Sequence, residues 1–170
     1  MNIFGVVGYK NAGKTGLMER LVTEITGRGY SVSTLKHAHH SFDVDHPGKD
    51  SYRLRKAGAQ QMLIASDQRM ALMTENPTPQ EPRLDELITH LNLETIDLVL
   101  VEGFKHVPFP KIELHREALA KSLLHPDDPA IIAIACDHRV DAGTLPILDI
   151  NDTQAIAAFI IGWLQQQGET

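Results

Sequence analysis

The stretch Ile3-Phe4-Gly5-Val6-Val7-Gly8-Tyr9-Lys10-Asn11-Ala12-Gly13-Lys14-Thr15-Gly16 decides the fold. Its opening residues, Ile3 to Val7, are a short continuous apolar run, the mark of a strand buried on both faces of a parallel sheet. Gly8 to Thr15 then match G-x-x-x-x-G-K-[ST] at every fixed position. A helical pattern follows at once, with Leu17, Leu21, Val22 and Ile25 spaced three and four apart. Strand, glycine-rich loop and helix in that order form the context in which this motif holds phosphate. Gly8 and Gly13 let the backbone curl so that successive N–H groups converge on an anion, and the helix N-terminus adds its dipole. Lys14 reaches the β- and γ-phosphates, and the Thr15 hydroxyl is a ligand for Mg²⁺. A bound nucleoside triphosphate is therefore expected.

Outward from this loop, the first helix should end near Gly27 and Gly29, and Tyr30–Leu35 alternates like a second strand. Residues 36–50 are polar, contain Pro47-Gly48 and read as a loop too long for a simple connection. Asp50 can cap a helix from Ser51 to Lys56, stopped by Gly58. Gln61–Ala65 and Arg69–Thr74 flank Ser66-Asp67-Gln68 as a hairpin, expected at a sheet edge. A proline-rich loop, Asn76–Pro82, precedes a short helix over Leu84–Leu91. Leu98-Val99-Leu100-Val101 is the second strongly buried strand and ends in Glu102-Gly103. Lys111–His115, Ala130–Cys136 and Leu145–Ile150 supply further strands. Asp152 opens a C-terminal helix with Ile156, Phe159, Ile160 and Trp163 on one face. The alternation argues for a three-layer α/β/α sandwich on a mostly parallel sheet with an added antiparallel hairpin, residues 1–170 forming a single P-loop nucleotide-binding domain.

Composition narrows the function classes. The formal charge of −6 over 170 residues gives no basic field for nucleic acid. The one cysteine, Cys136, lies in an apolar run and reads as a small buried hydrophobe, which suits a reducing compartment. No apolar run reaches the ~18 residues of a membrane span, and Ile3–Val7 is too short for a signal peptide. A cytoplasmic protein with no membrane partner is expected.

Glu102, at the carboxyl end of a buried strand, belongs on the edge that carries the P-loop and can approach Mg²⁺. Asp97 precedes the same strand and belongs on the opposite edge. Gly103 would let a backbone N–H approach the γ-phosphate. The 36–50 loop holds Lys36, His37, His39, His40, Asp43, Asp45 and His46. Asp43 or Asp45 suits a magnesium-bound water, and the histidines offer zinc or nickel ligands as an alternative to phosphate or partner contact. Lys49, Arg53, Arg55 and Lys56 suit an anionic ligand or a solvated helix face equally. The guanine signature N-K-x-D is absent, yet Asp137 ends a buried strand, where a carboxylate can accept from the N1–H and amine of guanine. The nucleotide-binding set is thus Gly8, Asn11, Ala12, Gly13, Lys14, Thr15, Gly16, Gly103 and Asp137. Thr15, Glu102 and Asp45 are candidate magnesium ligands, and Lys14 and Glu102 candidate catalytic groups.

Gly8–Thr15, Lys36-His37 with His39-His40, the run from Asp43 through Pro47-Gly48-Lys49-Asp50-Ser51-Tyr52 to Ala59, and Val101-Glu102-Gly103-Phe104-Lys105 together carry a resemblance. The sequence resembles the molybdopterin-guanine dinucleotide biosynthesis protein B (MobB) family of P-loop GTPases along nearly its whole length. The resemblance implies GTP with Mg²⁺ and a homodimer. It also implies assistance to a MobA-type molybdopterin nucleotidyltransferase that joins GMP to molybdopterin, with molybdopterin itself a candidate ligand. Weak GTPase activity is implied too, and the loop Pro108-Phe109-Pro110 offers no obvious water-activating group. Lys10 is the third residue of the loop, whereas dimerisation-dependent ATPases of this class place their signature lysine second. The rival readings are a small-molecule P-loop kinase, with Arg53 and Arg55 as lid residues, and a metal-delivery GTPase with the histidine-rich loop as cargo site.

Overall fold

The computed structural model describes residues 2–38 and 41–168, which gather into two compact units. Residues 1–37 and 84–170 form the first and residues 38–83 the second. In the first unit six strands hydrogen-bond in the order β2-β5-β1-β6-β7-β8, and every pairing is parallel. They are β1 (Ile3–Gly8), β2 (Val32–Lys36), β5 (Leu98–Glu102), β6 (Lys111–His115), β7 (Ile131–Cys136) and β8 (Ile147–Asp149). The second unit holds α2 (Asp50–Lys56) and a separate two-stranded sheet of β3 (Gln61–Ala65) with β4 (Met70–Thr74).

Alternation along the strands explains the layers. Phe4, Val6, Leu98, Leu100, Ile112, Leu114, Ala133 and Ala135 face α1 (Lys14–Gly27) and α4 (Thr153–Gly168) in one apolar cluster. Val99 and Val101 point the other way, onto Leu84 and Ile88 of α3 (Leu84–Ile88) and onto Phe104 and Phe109. A parallel sheet covered on both faces is what near-continuous apolar strands require. Strand β6 departs from this. Ile112 and Leu114 are apolar, whereas Lys111, Glu113 and His115 are buried polar groups on the opposite face. Each has at least one partner in the loops, His115 through Nε2 alone. Lys111 Nζ donates to the carbonyls of Lys105 (2.9 Å) and Val107 (2.8 Å) and to Asp128 (2.7 Å). Glu113 accepts the backbone N–H groups of Leu124 (2.8 Å) and His125 (3.0 Å), and His115 Nε2 meets the Lys121 carbonyl at 2.8 Å. Burying such groups is tolerable only with partners of this kind.

Several expected boundaries move for local reasons. The hairpin is not an edge of the main sheet; it pairs only within itself among the described residues. Leu84–Leu91 is helical only to Ile88, because the N–H groups of Thr89, His90 and Leu91 turn back three residues, to Glu86, Leu87 and Ile88. The second strand starts at Val32, since Ser31 gives its N–H and hydroxyl to Asp97. The last strand begins only at Ile147, after Pro146. Asp50 lies inside the first turn of α2 rather than in front of it. In α4 the buried stripe is Ile156, Ala157, Ile160, Ile161 and Leu164, while Phe159 and Trp163 meet Phe4 edge-on at 6.4 and 5.1 Å between centroids. Cys136 is buried and free, as expected. No helix among the described residues is long and apolar enough to cross a membrane.

A tight point in the sheet lies at Gly5, where an added Cβ would stand 2.6 Å from the Phe109 ring and 2.8 Å from Lys111 Cβ. Gly5→Ala is therefore expected to cost about 1–3 kcal/mol through overpacking. Urea unfolding checks this, and an unchanged midpoint would show that the ring moves aside freely.

Candidate functional site

Parallel pairing places the carboxyl ends of β1, β5, β6 and β7 on one edge, and the candidate residues of this unit gather there. The loop between Gly8 and Lys14 is held by Ala12 N–H donating to the Tyr9 carbonyl (3.2 Å) and Leu17 N–H to that of Gly13 (3.0 Å). Gly13 has φ 90°, and a Cβ on Gly8 would stand 2.6 Å from the Leu114 carbonyl oxygen. Lys14 Nζ folds back onto the carbonyls of Gly8 (3.0 Å) and Tyr9 (2.9 Å). Burial lowers the pKa of this ammonium, Glu102 opposes the shift and Lys36 adds to it.

The Thr15 hydroxyl donates toward both carboxylate oxygens of Glu102, each at 3.2 Å. Lys36 Nζ, from the end of β2, lies 3.1 Å from Thr15 Oγ1 and 3.3 Å from Glu102 Oε1. A hydroxyl and a carboxylate are the hard oxygen donors that Mg²⁺ prefers, and an ammonium already sits against both. The donor set therefore fits a cation. Asp97, by contrast, stands at the opposite edge, bonded to Ser31.

The turn after Glu102 is unusual. Gly103 and Phe104 both have positive φ, 100° and 52°. A Cβ on Gly103 would stand 2.9 Å from His37 Cβ, so the close approach of β2 requires the glycine. His37 N–H donates to the Glu102 carbonyl (2.9 Å), and its ring stacks on Phe104 at 4.7 Å. The Gly103 N–H, expected to face phosphate, here donates to the Val6 carbonyl at 3.3 Å.

Asp137 stands just after β7. Its Oδ1 accepts the Glu117 N–H (3.0 Å) and meets His138 Nδ1 (3.1 Å), while Oδ2 accepts Arg116 Nη1 at 3.2 Å. These bonds, with the Glu117 N–H first, hold its pKa down at about 2. Arg116 Nε donates to the Ala12 carbonyl at 3.2 Å, which links the P-loop to Asp137. Arg116 was missed in the sequence. It directly follows a buried strand on the same edge as Glu102 and Asp137, and that placement is the signal that could have found it.

In the second unit Asp45 binds Arg55, as do Asp43 (2.9 Å) and Glu75. The Arg55 hydrogen bond lowers the Asp45 pKa, and the carboxylates raise that of Arg55. Arg55, a candidate anion-binding residue, thus has its guanidinium taken. His39 and His40 lie outside the described residues, and among the described residues no group of three or more metal-ligating side chains converges.

The sheet order, the loop and its neighbours define a P-loop α/β protein. The family model described as "Molybdopterin guanine dinucleotide synthesis protein B" (MobB) matches residues 3–137. The chain is 43% identical over 162 residues to a molybdopterin-guanine dinucleotide biosynthesis adapter protein of Haemophilus influenzae, covering 95% of this chain and 89% of that one. Against the adapter protein of Escherichia coli it is 41% identical over 169 residues, covering 97% and 94%. Among solved structures, a MobB homolog from Bacillus stearothermophilus superposes with TM-score 0.70 at 25% identity, covering 98% and 99%. A crystal structure of molybdopterin-guanine biosynthesis protein B does so with TM-score 0.75 at 26% identity, covering 96% and 99%. The chain belongs to the MobB family.

The Asp137 environment makes a pH prediction. A depressed folded-state pKa means that its bonds contribute fully above the unfolded value of about 3.9 and are lost as pH falls toward about 2. Carboxyl NMR should give Asp137 a midpoint near that lower value. A midpoint near 4 would show that the Arg116 and Glu117 bonds do not persist in solution.

Proposed function

We propose that this chain is a GTP-binding adapter in the formation of molybdopterin guanine dinucleotide, serving a MobA-type nucleotidyltransferase that joins GMP to molybdopterin. The single observation that carries the reading is the cluster of Thr15, Glu102 and Lys36 beside the P-loop, in a chain of the MobB family. Gly8, Asn11, Ala12, Gly13 and Gly16 frame the phosphates, and Gly103 lies close behind Glu102. Lys14 exchanges its two loop carbonyls for phosphate oxygens. Thr15 and Glu102 would hold Mg²⁺ where the Lys36 ammonium lies against both, and the ion would neutralise charge on the β- and γ-phosphates. Asp137 supplies an anionic acceptor for the donor edge of guanine. In this structure the carboxylate accepts from the Glu117 N–H and from Arg116 and His138. Weak GTPase activity belongs to the same reading, in keeping with an adapter's role; Pro108, Phe109 and Pro110 lead into the amino end of β6, away from the cradle.

Calorimetry with GTP and ATP, with and without Mg²⁺, tests this. GTP should bind more tightly than ATP. Lys14→Ala removes charge-assisted bonds worth on the order of 1.5–3 kcal/mol each, so GTP affinity should fall roughly ten- to hundred-fold with the fold intact. Glu102→Gln should reduce the Mg²⁺ dependence. Equal affinity for GTP and ATP in the wild type would favour the kinase alternative.

The reading includes a homodimer. Leu63 pairs with Leu72 across the hairpin, and Leu63, Ile64, Met70 and Leu72 are all exposed, Met70 by 74%. Apolar strands that lack lysine or proline guards need a cover, and a second copy under two-fold symmetry provides one. Light scattering should give a dimer for the wild type and a monomer for Met70→Lys with Leu72→Lys. A monomeric wild type refutes the dimer, and a dimer that survives both lysines places the interface elsewhere.

A further inference from the structure

Arg116 joins two regions that the nucleotide reading assigns to opposite ends of one ligand. Its Nε is tied to the Ala12 carbonyl in the phosphate cradle and its Nη1 to Asp137 at the base end, both at 3.2 Å. A Cβ on Gly13 would lie 3.5 Å from Nη2 and 3.7 Å from Nε, so the guanidinium passes directly over the loop where that residue lacks a side chain. The Arg116 side chain keeps 31% of its surface exposed. Hydrogen bonds to a guanidinium lie in its plane, and here bonds at two of its nitrogens fix that plane. What such a group offers a ligand is its flat face, and a planar cation stacks on aromatic rings.

We infer that Arg116 is a nucleotide-contacting residue whose fixed guanidinium stacks on the purine ring, with Asp137 acting also as the residue that positions it. The inference rests on the GTP reading and adds a subsite to it. Stacking serves guanine and adenine alike, so Arg116 supplies affinity for the base while the Asp137 edge contact supplies the choice between purines. In this reading Lys14 and the loop N–H groups contact the phosphates and Arg116 contacts the base, so a ligand that lacks the base separates stacking from the bond that ties Arg116 to the Ala12 carbonyl.

The test compares GTP with inorganic tripolyphosphate, which carries the phosphates and no base, on wild type, Arg116→Met and Arg116→Lys. Thermal unfolding first establishes that each variant is folded. Loss of a stacked cation should weaken GTP binding about ten-fold in Arg116→Met while tripolyphosphate affinity stays unchanged. Arg116→Lys, which keeps the charge without the plane, should recover only part of the loss. An equal loss for GTP and tripolyphosphate would show that Arg116 merely braces the loop and overturns the inference. Unchanged GTP affinity in Arg116→Met overturns it as well, while the GTP reading stands. A wild type that binds tripolyphosphate and no guanine nucleotide overturns both.

Discussion

The hydrogen bonds between β1 and β5 are the constraint on which the rest depends. Val6 pairs with Glu102 in register, so the strand that ends in the P-loop and the strand that ends in the carboxylate finish side by side. A slip of one residue would swing Glu102 to the other face of the sheet and part it from Thr15. Placing Thr15 against Glu102 needs no further device, because α1 starts where the loop ends and carries Thr15 in its first turn. Strand β2, paired to the far side of β5, then delivers Lys36 to the same two oxygens.

How much of this was legible in the sequence depends on how local each signal is. The P-loop is a contiguous motif, and its geometry follows from glycine placement and the strand and helix around it. Glu102 could be placed from chain direction alone, since a residue at the carboxyl end of a buried parallel strand has one edge available. Arg116 was hidden because its partners, Ala12 and Asp137, are distant in sequence and only sheet order joins them. The role of Gly103 was half legible. A glycine there signals a positive φ, but the neighbour that forbids a side chain is His37, just past the end of β2. The hairpin was readable as a hairpin from its turn residues, whereas its separation from the main sheet reflects long-range pairing that periodicity does not encode.

Strand β6 shows where simple patterning fails for a good physical reason. A buried strand with lysine, glutamate and histidine at alternate positions looks like a half-solvated strand by alternation. Here the polar face is buried, and the loops packed over it supply carbonyls, amides and a carboxylate. The same loops also pack apolar side chains such as Leu124, Ala142 and Leu145 onto the neighbouring strands, so the polar face of β6 matched to their backbone groups fixes their positions alongside that packing.

The Lys111 ammonium has a mechanical consequence. Because it pins two carbonyls of the segment after Gly103 to Asp128, that segment is restrained from within the core as well as by the His37–Phe104 stack. A loop fastened at both ends stores little slack. Proteins that keep time by hydrolysis need a slack loop whose collapse is the tick. A fastened one suits a protein that works as a holder, presenting the same surface for as long as its ligand stays.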